Sequence, residues 1–185
     1  GERPNLIAAA GKDFDKYKTW LKKNKIDISG VKVVKDELTA SAYIMTDRAD
    51  NQITAFYSGS KIQISPYPLL QKERGKSMMA IIAPDLVARM AGYAKMFRQF
   101  KVPYIFDPGQ QITSYSAKEL KYALAGAKVL IGNDYEIELI LNKLKIKLKQ
   151  LEKLVEILII TKGGQGSEIY NKNKKIIIQP AKPKL

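Results

Sequence analysis

Short apolar runs that alternate with amphipathic stretches, each run closing on a polar or glycine turn, constrain this chain more than any other feature. From Ala80 onward the runs are Ala80–Ala83, Val102–Phe106, Val129–Ile131 and Ile157–Thr161. Their β-branched and aromatic content marks buried strands. Between them lie segments with helical spacing. Asp85–Phe100 carries Leu86, Met90, Tyr93 and Phe97, and Pro84 stands where a first helical residue is favoured. Ser116–Ala125 carries Leu120 and Leu124, and Asp134–Leu141 is followed by a further helix over Ile146–Glu156. Strands joined by helices form a parallel sheet with right-handed crossovers. The expected fold class is therefore α/β, a mostly parallel sheet with flanking helices. Ser167–Tyr170 and Lys175–Gln179 read as a closing hairpin across Asn171–Lys174.

The amino-terminal part has a different pattern. Asn5–Ala10 reads as a buried strand ended by Gly11, and Asp13–Asn24 as an amphipathic helix with Phe14, Tyr17 and Leu21 on its apolar side and Asp13 as N-cap. Val31–Val34, Thr39–Thr46 and Ile53–Tyr57, with a polar turn at Asp47–Asn51, predict an antiparallel hairpin plus a flanking strand. Such an insertion suggests a small lid. The expected organisation is a core of residues 1–30 and 60–185 and a lid of residues 31–59. Lys61–Lys76, with Pro66, Pro68 and Gly75, and the tail Pro180–Leu185 read as irregular.

Composition narrows the chemistry. The 185 residues include no Cys and no His. Disulfides, thiolate nucleophiles, imidazole bases and ordinary zinc sites are excluded, so proton transfer falls to Asp, Glu, Lys or Tyr. The net charge of +14 suits a polyanionic partner. Yet Arg, the preferred residue for phosphate and base contacts, occurs only at positions 3, 48, 74, 89 and 98, and the Lys are scattered over nearly every segment. That pattern argues against nucleic acid. No apolar run approaches membrane-spanning length, and Gly1–Pro4 lacks a signal profile, so no membrane partner and a cytoplasmic location are expected.

Three strand ends carry the candidate site. Phe106 leads to Asp107, Ile131 to Asn133 and Glu136, and Ile160 to Thr161, Lys162, Gly163, Gly164, Gln165 and Gly166. In a parallel sheet these ends share one edge, where ligands bind. Asn133 and Glu136, three apart, share a helix face. They read either as a helix cap or as oxygen donors for hydrated magnesium. The glycine turn reads either as a plain connector or as backbone approaching a phosphate. Neither a G-x-x-x-x-G-K-[ST] nor a G-x-G-x-x-G pattern is present.

In order along the chain, Gly11-Lys12-Asp13-Phe14, Leu21–Val34, Thr39–Gly59, Asp107-Pro108, Asn133-x-x-Glu136 and Thr161-x-Gly163-x-x-Gly166 resemble the ribokinase-type (PfkB) family of sugar and nucleoside kinases. The segment Asn51–Tyr57 is most similar to bacterial adenosine kinase-like members. The resemblance implies ATP and Mg2+ as cofactors and γ-phosphoryl transfer to a primary alcohol of adenosine or a ribose-like acceptor. It implies nucleotide binding by Asp107, Asn133, Thr161, Lys162, Gly163, Gly164 and Gly166. It assigns magnesium to Glu136 and Asn133, with Asp107 reached through water. Acceptor or lid roles fall to Thr39, Tyr43, Asn51, Gln52 and Phe56, with a possible homodimer through the lid. The family's substrate segment with paired glycines would precede Gly1, and its G-A-G-D segment, which supplies the general base and anion hole, would follow Leu185. The chain is thus expected to be an internal slice, incomplete at both ends, without a catalytic base and inactive by itself. A non-catalytic nucleotide-binding or regulatory module is the alternative, and a basic nucleic-acid binder ranks below it.

Overall fold

The apolar run Asn5–Ala10 forms strand β1, followed by helix α1 (Asp15–Lys23) and strand β2 (Asp27–Val33), which returns parallel to β1. This computed structural model describes residues 4–48, 52–59, 70–71, 78–172 and 174–181. The chain divides into two compact units, Gly1–Arg74 and Gly75–Leu185.

In the first unit Ala10, Phe14 and Leu21 form a small core, joined by Leu6, Ile26, Ile28 and Val31. Two expectations are corrected here. Asp13 does not cap α1: Phe14 holds that position, with no side-chain cap. Tyr17 leaves the apolar side, lying exposed and stacked on Trp20 with ring centroids 5.7 Å apart. The Asp13 carboxylate instead accepts hydrogen bonds from Thr39 N–H (2.8 Å) and Thr39 Oγ1 (2.7 Å), which hold its carboxyl below the usual carboxylate value. Thr39 Oγ1 also accepts from Gly11 N–H at 2.9 Å. The chain passes so close that a Cβ on Gly11 would lie 2.3 Å from the Thr39 nitrogen. Strands β3 (Ser41–Thr46) and β4 (Gln52–Tyr57) pair antiparallel as a separate two-stranded sheet. The flanking strand expected beside this hairpin is β2, which starts at Asp27 and pairs with β1 instead.

The second unit is built on a six-stranded sheet. Along the chain run β5 (Ala80–Ile82), α2 (Val87–Gln99), β6 (Tyr104–Phe106), a 3-10 turn at Gly109–Ser114, α3 (Ala117–Leu124), β7 (Val129–Asn133), α4 (Asp134–Leu144), α5 (Leu148–Leu151), β8 (Ile157–Thr161), β9 (Ser167–Asn171) and β10 (Lys174–Ile178). The spatial order is β10-β9-β8-β7-β6-β5, parallel from β5 to β8 and antiparallel at β9 and β10. The α/β class with a mostly parallel sheet, flanking helices and a small antiparallel hairpin is therefore the observed one.

Local differences have local causes. Helix α2 begins at Val87, past Pro84, and Leu86 is an exposed N-cap residue, so the buried side is Met90, Ala94 and Phe97. Helix α4 runs three residues beyond its expected end and stops where Lys145 turns left-handed, at φ 54°. The helix expected over Ile146–Glu156 is the single turn α5, held by the burial of Leu151. Ser116 and Glu119 close a reciprocal capping box on α3, whose Leu120 and Leu124 are buried as their spacing requires. With Tyr104, Phe106, Leu130 and Leu158 of the sheet and Met90, Ile140 and Leu151 of the helices, they form the core. Its rigidity positions the loops at the strand ends.

Candidate active site

Parallel pairing of β6, β7 and β8 brings their carboxyl ends to one edge. Asn133 at the end of β7 lies opposite Thr161 at the end of β8. Asp107 follows β6 directly, and its N–H donates to Ile82 O of β5 at 3.0 Å. Asp107, Asn133, Glu136 and the turn from Thr161 to Gly166 thus occupy one edge of one sheet.

Asn133 and Glu136 form a capping box at the start of α4. Glu136 N–H donates to Asn133 Oδ1 at 2.8 Å, and Asn133 N–H donates to Glu136 Oε2 at 2.9 Å. Both residues therefore have a structural duty, which leaves Glu136 Oε1 outside the box. Gly132 makes room for this arrangement, since a Cβ there would come within 3.2 Å of Glu136 Oε2. Burial first, and then the nearby Glu136 carboxylate, push the Asp107 carboxyl above its usual value, against the opposing effect of the Gly109 backbone N–H. A carboxylate whose ionisation is opposed by burial and by a second carboxylate suits a cation beside it. Among the described residues no three His, Cys, Asp or Glu side chains gather around one point. An ion held here would keep most of its water, as magnesium does.

Thr161 Oγ1 lies 3.5 Å from Gly132 O. Beyond it the turn closes on itself: Lys162 N–H donates to Gly166 O, and Gln165 N–H to Lys162 O. Gly163 (φ 54°) and Gly166 (φ 86°) hold left-handed conformations that favour glycine. A Cβ on Gly166 would lie 2.0 Å from Ile178 O of β10, whereas Gly163 and Gly164 face open space. Lys162 is engaged: its Nζ meets Glu168 Oε1 at 2.6 Å. Glu168 also takes Lys175 Nζ at 2.9 Å and Tyr170 OH at 2.6 Å. Sequence reading missed Glu168. No spacing in the sequence marks it, because its contacts depend on how β9 registers against β8 and β10.

The lid candidates lie in the other unit. Thr39 belongs to the Gly11–Asp13 knot. Directly opposed residues share a sheet face and successive ones alternate. Ala42 opposes Phe56 and Tyr43 opposes Ala55, so Phe56 and Gln52 lie on one face and Tyr43 on the other. Both aromatics are exposed, Tyr43 at 66% and Phe56 at 68%. A ligand lying flat on one face meets Phe56 or Tyr43, not both. Asn51 falls outside the described residues.

A family model for pfkB family carbohydrate kinases matches residues 1–185. The chain belongs to that family. It is 32% identical to a nucleoside kinase of Methanothermobacter thermautotrophicus over 92% of its length and 56% of the relative's. It is 33% identical to a nucleoside kinase of Methanocaldococcus jannaschii over 96% of its length and 58% of the relative's. Burkholderia thailandensis nucleoside kinase, solved in complex with inosine, superposes with a TM-score of 0.85 at 27% identity, covering 98% of this chain and 59% of that one. The same enzyme in complex with ADP-inosine gives 0.85 at 27% identity, covering 98% of this chain and 57% of that one. This pfkB family chain thus spans a little over half the length of the relatives it matches. Among the described residues no helix is long and apolar enough to cross a membrane.

Proposed function

We propose that this chain carries the nucleotide and metal edge of an ATP-dependent nucleoside kinase, which transfers the γ-phosphoryl group to a primary alcohol of the nucleoside. One observation supports the reading above the others: Asp107, Asn133, Glu136 and the Thr161–Gly166 turn share the carboxyl edge of three parallel strands. Phosphoryl transfer asks a protein mainly for positioning and charge neutralisation. In this reading Glu136 and Asn133 hold hydrated magnesium, with Asp107 reached through water. When bound, such an ion would neutralise charge on the nucleotide phosphates. Gly163 and Gly164, with open space around them, let main-chain N–H groups come close to phosphate. Nucleoside rather than simple sugar is favoured as acceptor by the relatives named above.

Transfer also needs a general base and an anion hole, worth roughly 10²–10⁴-fold and 10²–10³-fold respectively. No G-A-G-D segment occurs in the 185 residues. In this reading the 185 residues by themselves bind nucleotide without turning it over. Thermal shift with ATP and magnesium, against ATP with EDTA, tests the binding; radiolabelled ATP with adenosine, inosine or ribose tests turnover. The expected result is a magnesium-dependent shift and no labelled product above background. Absence of any shift would sink the binding reading, and phosphorylated nucleoside would overturn the claim of inactivity.

A further inference from the structure

We infer that Glu168 is a positioning residue for the nucleotide turn, because it takes up the Lys162 ammonium and braces that turn against β9. The inference rests on the nucleotide-binding reading of this edge. Lys162 heads the glycine turn and is bonded within it twice through its backbone, to Gly166 O and from Gln165 N–H. Its side chain then leaves the turn for Glu168. Glu168 lies opposite Ile160 on one side and Ile177 on the other, so it stands on the middle strand of a three-strand antiparallel edge. Lys175 and Tyr170 hold the same carboxylate from that sheet, leaving its side chain only 14% accessible.

The far end of the turn is seated too, since Gly166 packs directly on the end of β10. Lys162 and Gly166 thus frame a turn whose middle, Gly163 and Gly164, is open. A Lys beside a glycine turn invites assignment as a phosphate ligand. Here its charge is matched by a partly buried carboxylate, which a phosphate would have to displace. Lys162 shapes the backbone that meets the nucleotide, and Glu168 acts through Lys162.

The two roles separate in a mutant cycle on the full chain. Lys162→Met, Glu168→Gln, the double variant and Lys162→Arg are titrated with ATP and magnesium. Amide exchange of Gln165 and Gly166 is followed without nucleotide, and thermal midpoints are recorded alongside. With a brace, each single variant weakens ATP by about tenfold, the double is no worse than either, and Lys162→Arg retains binding, as coupled partners require. Exchange at Gln165 and Gly166 quickens in Lys162→Met and Glu168→Gln alike. A phosphate-ligand role would weaken ATP in Lys162→Met while Glu168→Gln left it unchanged or tightened it; that overturns the inference. Lowered midpoints with unchanged ATP affinity would overturn it as well, by reducing the pair to a structural one. If the unsubstituted chain binds no ATP, the functional reading falls by itself. Exchange then decides the brace alone: unchanged rates in both variants sink it, and faster rates sustain it.

Discussion

At the scale of single residues, the candidate site is a matter of oxygens serving two ends. Glu136 gives Oε2 to the α4 capping box and keeps Oε1 outside it. Gln at this position can still cap. Glu136→Gln should therefore leave stability within about 0.5 kcal/mol in a urea melt, yet remove the magnesium-dependent part of the ATP thermal shift. Asp107 is costly to the apo protein. Its carboxyl is raised by burial and by Glu136, so the folded state binds its proton more tightly than the unfolded chain does. Stability then falls as pH rises through that shifted value, and the full cost is present above it. Asp107→Asn should raise the thermal midpoint at pH 7 in EDTA and shrink the gain from magnesium with ATP. Glu168 has the opposite sign. The Lys162 hydrogen bond, then those of Tyr170 and Lys175, hold its carboxyl down, from 4.5 to about 2. Its contribution is complete above about pH 4.5 and is lost as pH falls toward about 2. Acid melts should show that loss in the unsubstituted chain and a flatter profile in Glu168→Gln.

At the scale of elements, strand and helix existence was legible because core burial and spacing agree. Leu120 and Leu124 of α3 and the run Ile157–Thr161 of β8 could be read directly. Helix ends were less legible, because they depend on what the backbone meets. Nothing local in Lys145 announces a left-handed residue, and Pro84 looks like a helix start although α2 begins later. Strand partners were least legible in the first unit: β2 resembles a neighbour of the hairpin, but its pairing with β1 comes from packing around α1. At the site, strand order brought Asp107, Asn133 and Thr161 together as their spacing suggests. The Lys162–Glu168 pair could not be read, because it depends on the β8–β9 register. The hairpin β3–β4 exposes apolar side chains on both faces, Tyr43, Met45 and Ile53 on one and Ile44 and Phe56 on the other.

At the scale of the whole molecule, the two units carry separate cores of very different size. Ala10, Phe14 and Leu21 are the buried residues of the first cluster, while the sheet and helices from β5 onward enclose the larger apolar core. Small cores give marginal stability. Urea unfolding followed by amide exchange should show two steps, with probes in β1 and α1 lost first. Phe14→Ala should lower the first step alone, by about 3–5 kcal/mol or to the point of abolishing it, and Ile140→Ala the second by about 2–5 kcal/mol. A single coincident transition would show instead that the units unfold together. Net charge, by contrast, says little here. With +14 spread over the chain, the basic balance gave no hint of where the site lies.

The reciprocal bonds between Asn133 and Glu136 have an evolutionary reach beyond catalysis. A descendant that had lost metal binding altogether would still gain stability at the start of α4 from an acceptor at each of those positions. The pair would outlive the activity it is used to diagnose, so finding it in a chain testifies to ancestry and to a sound helix before it testifies to a working enzyme.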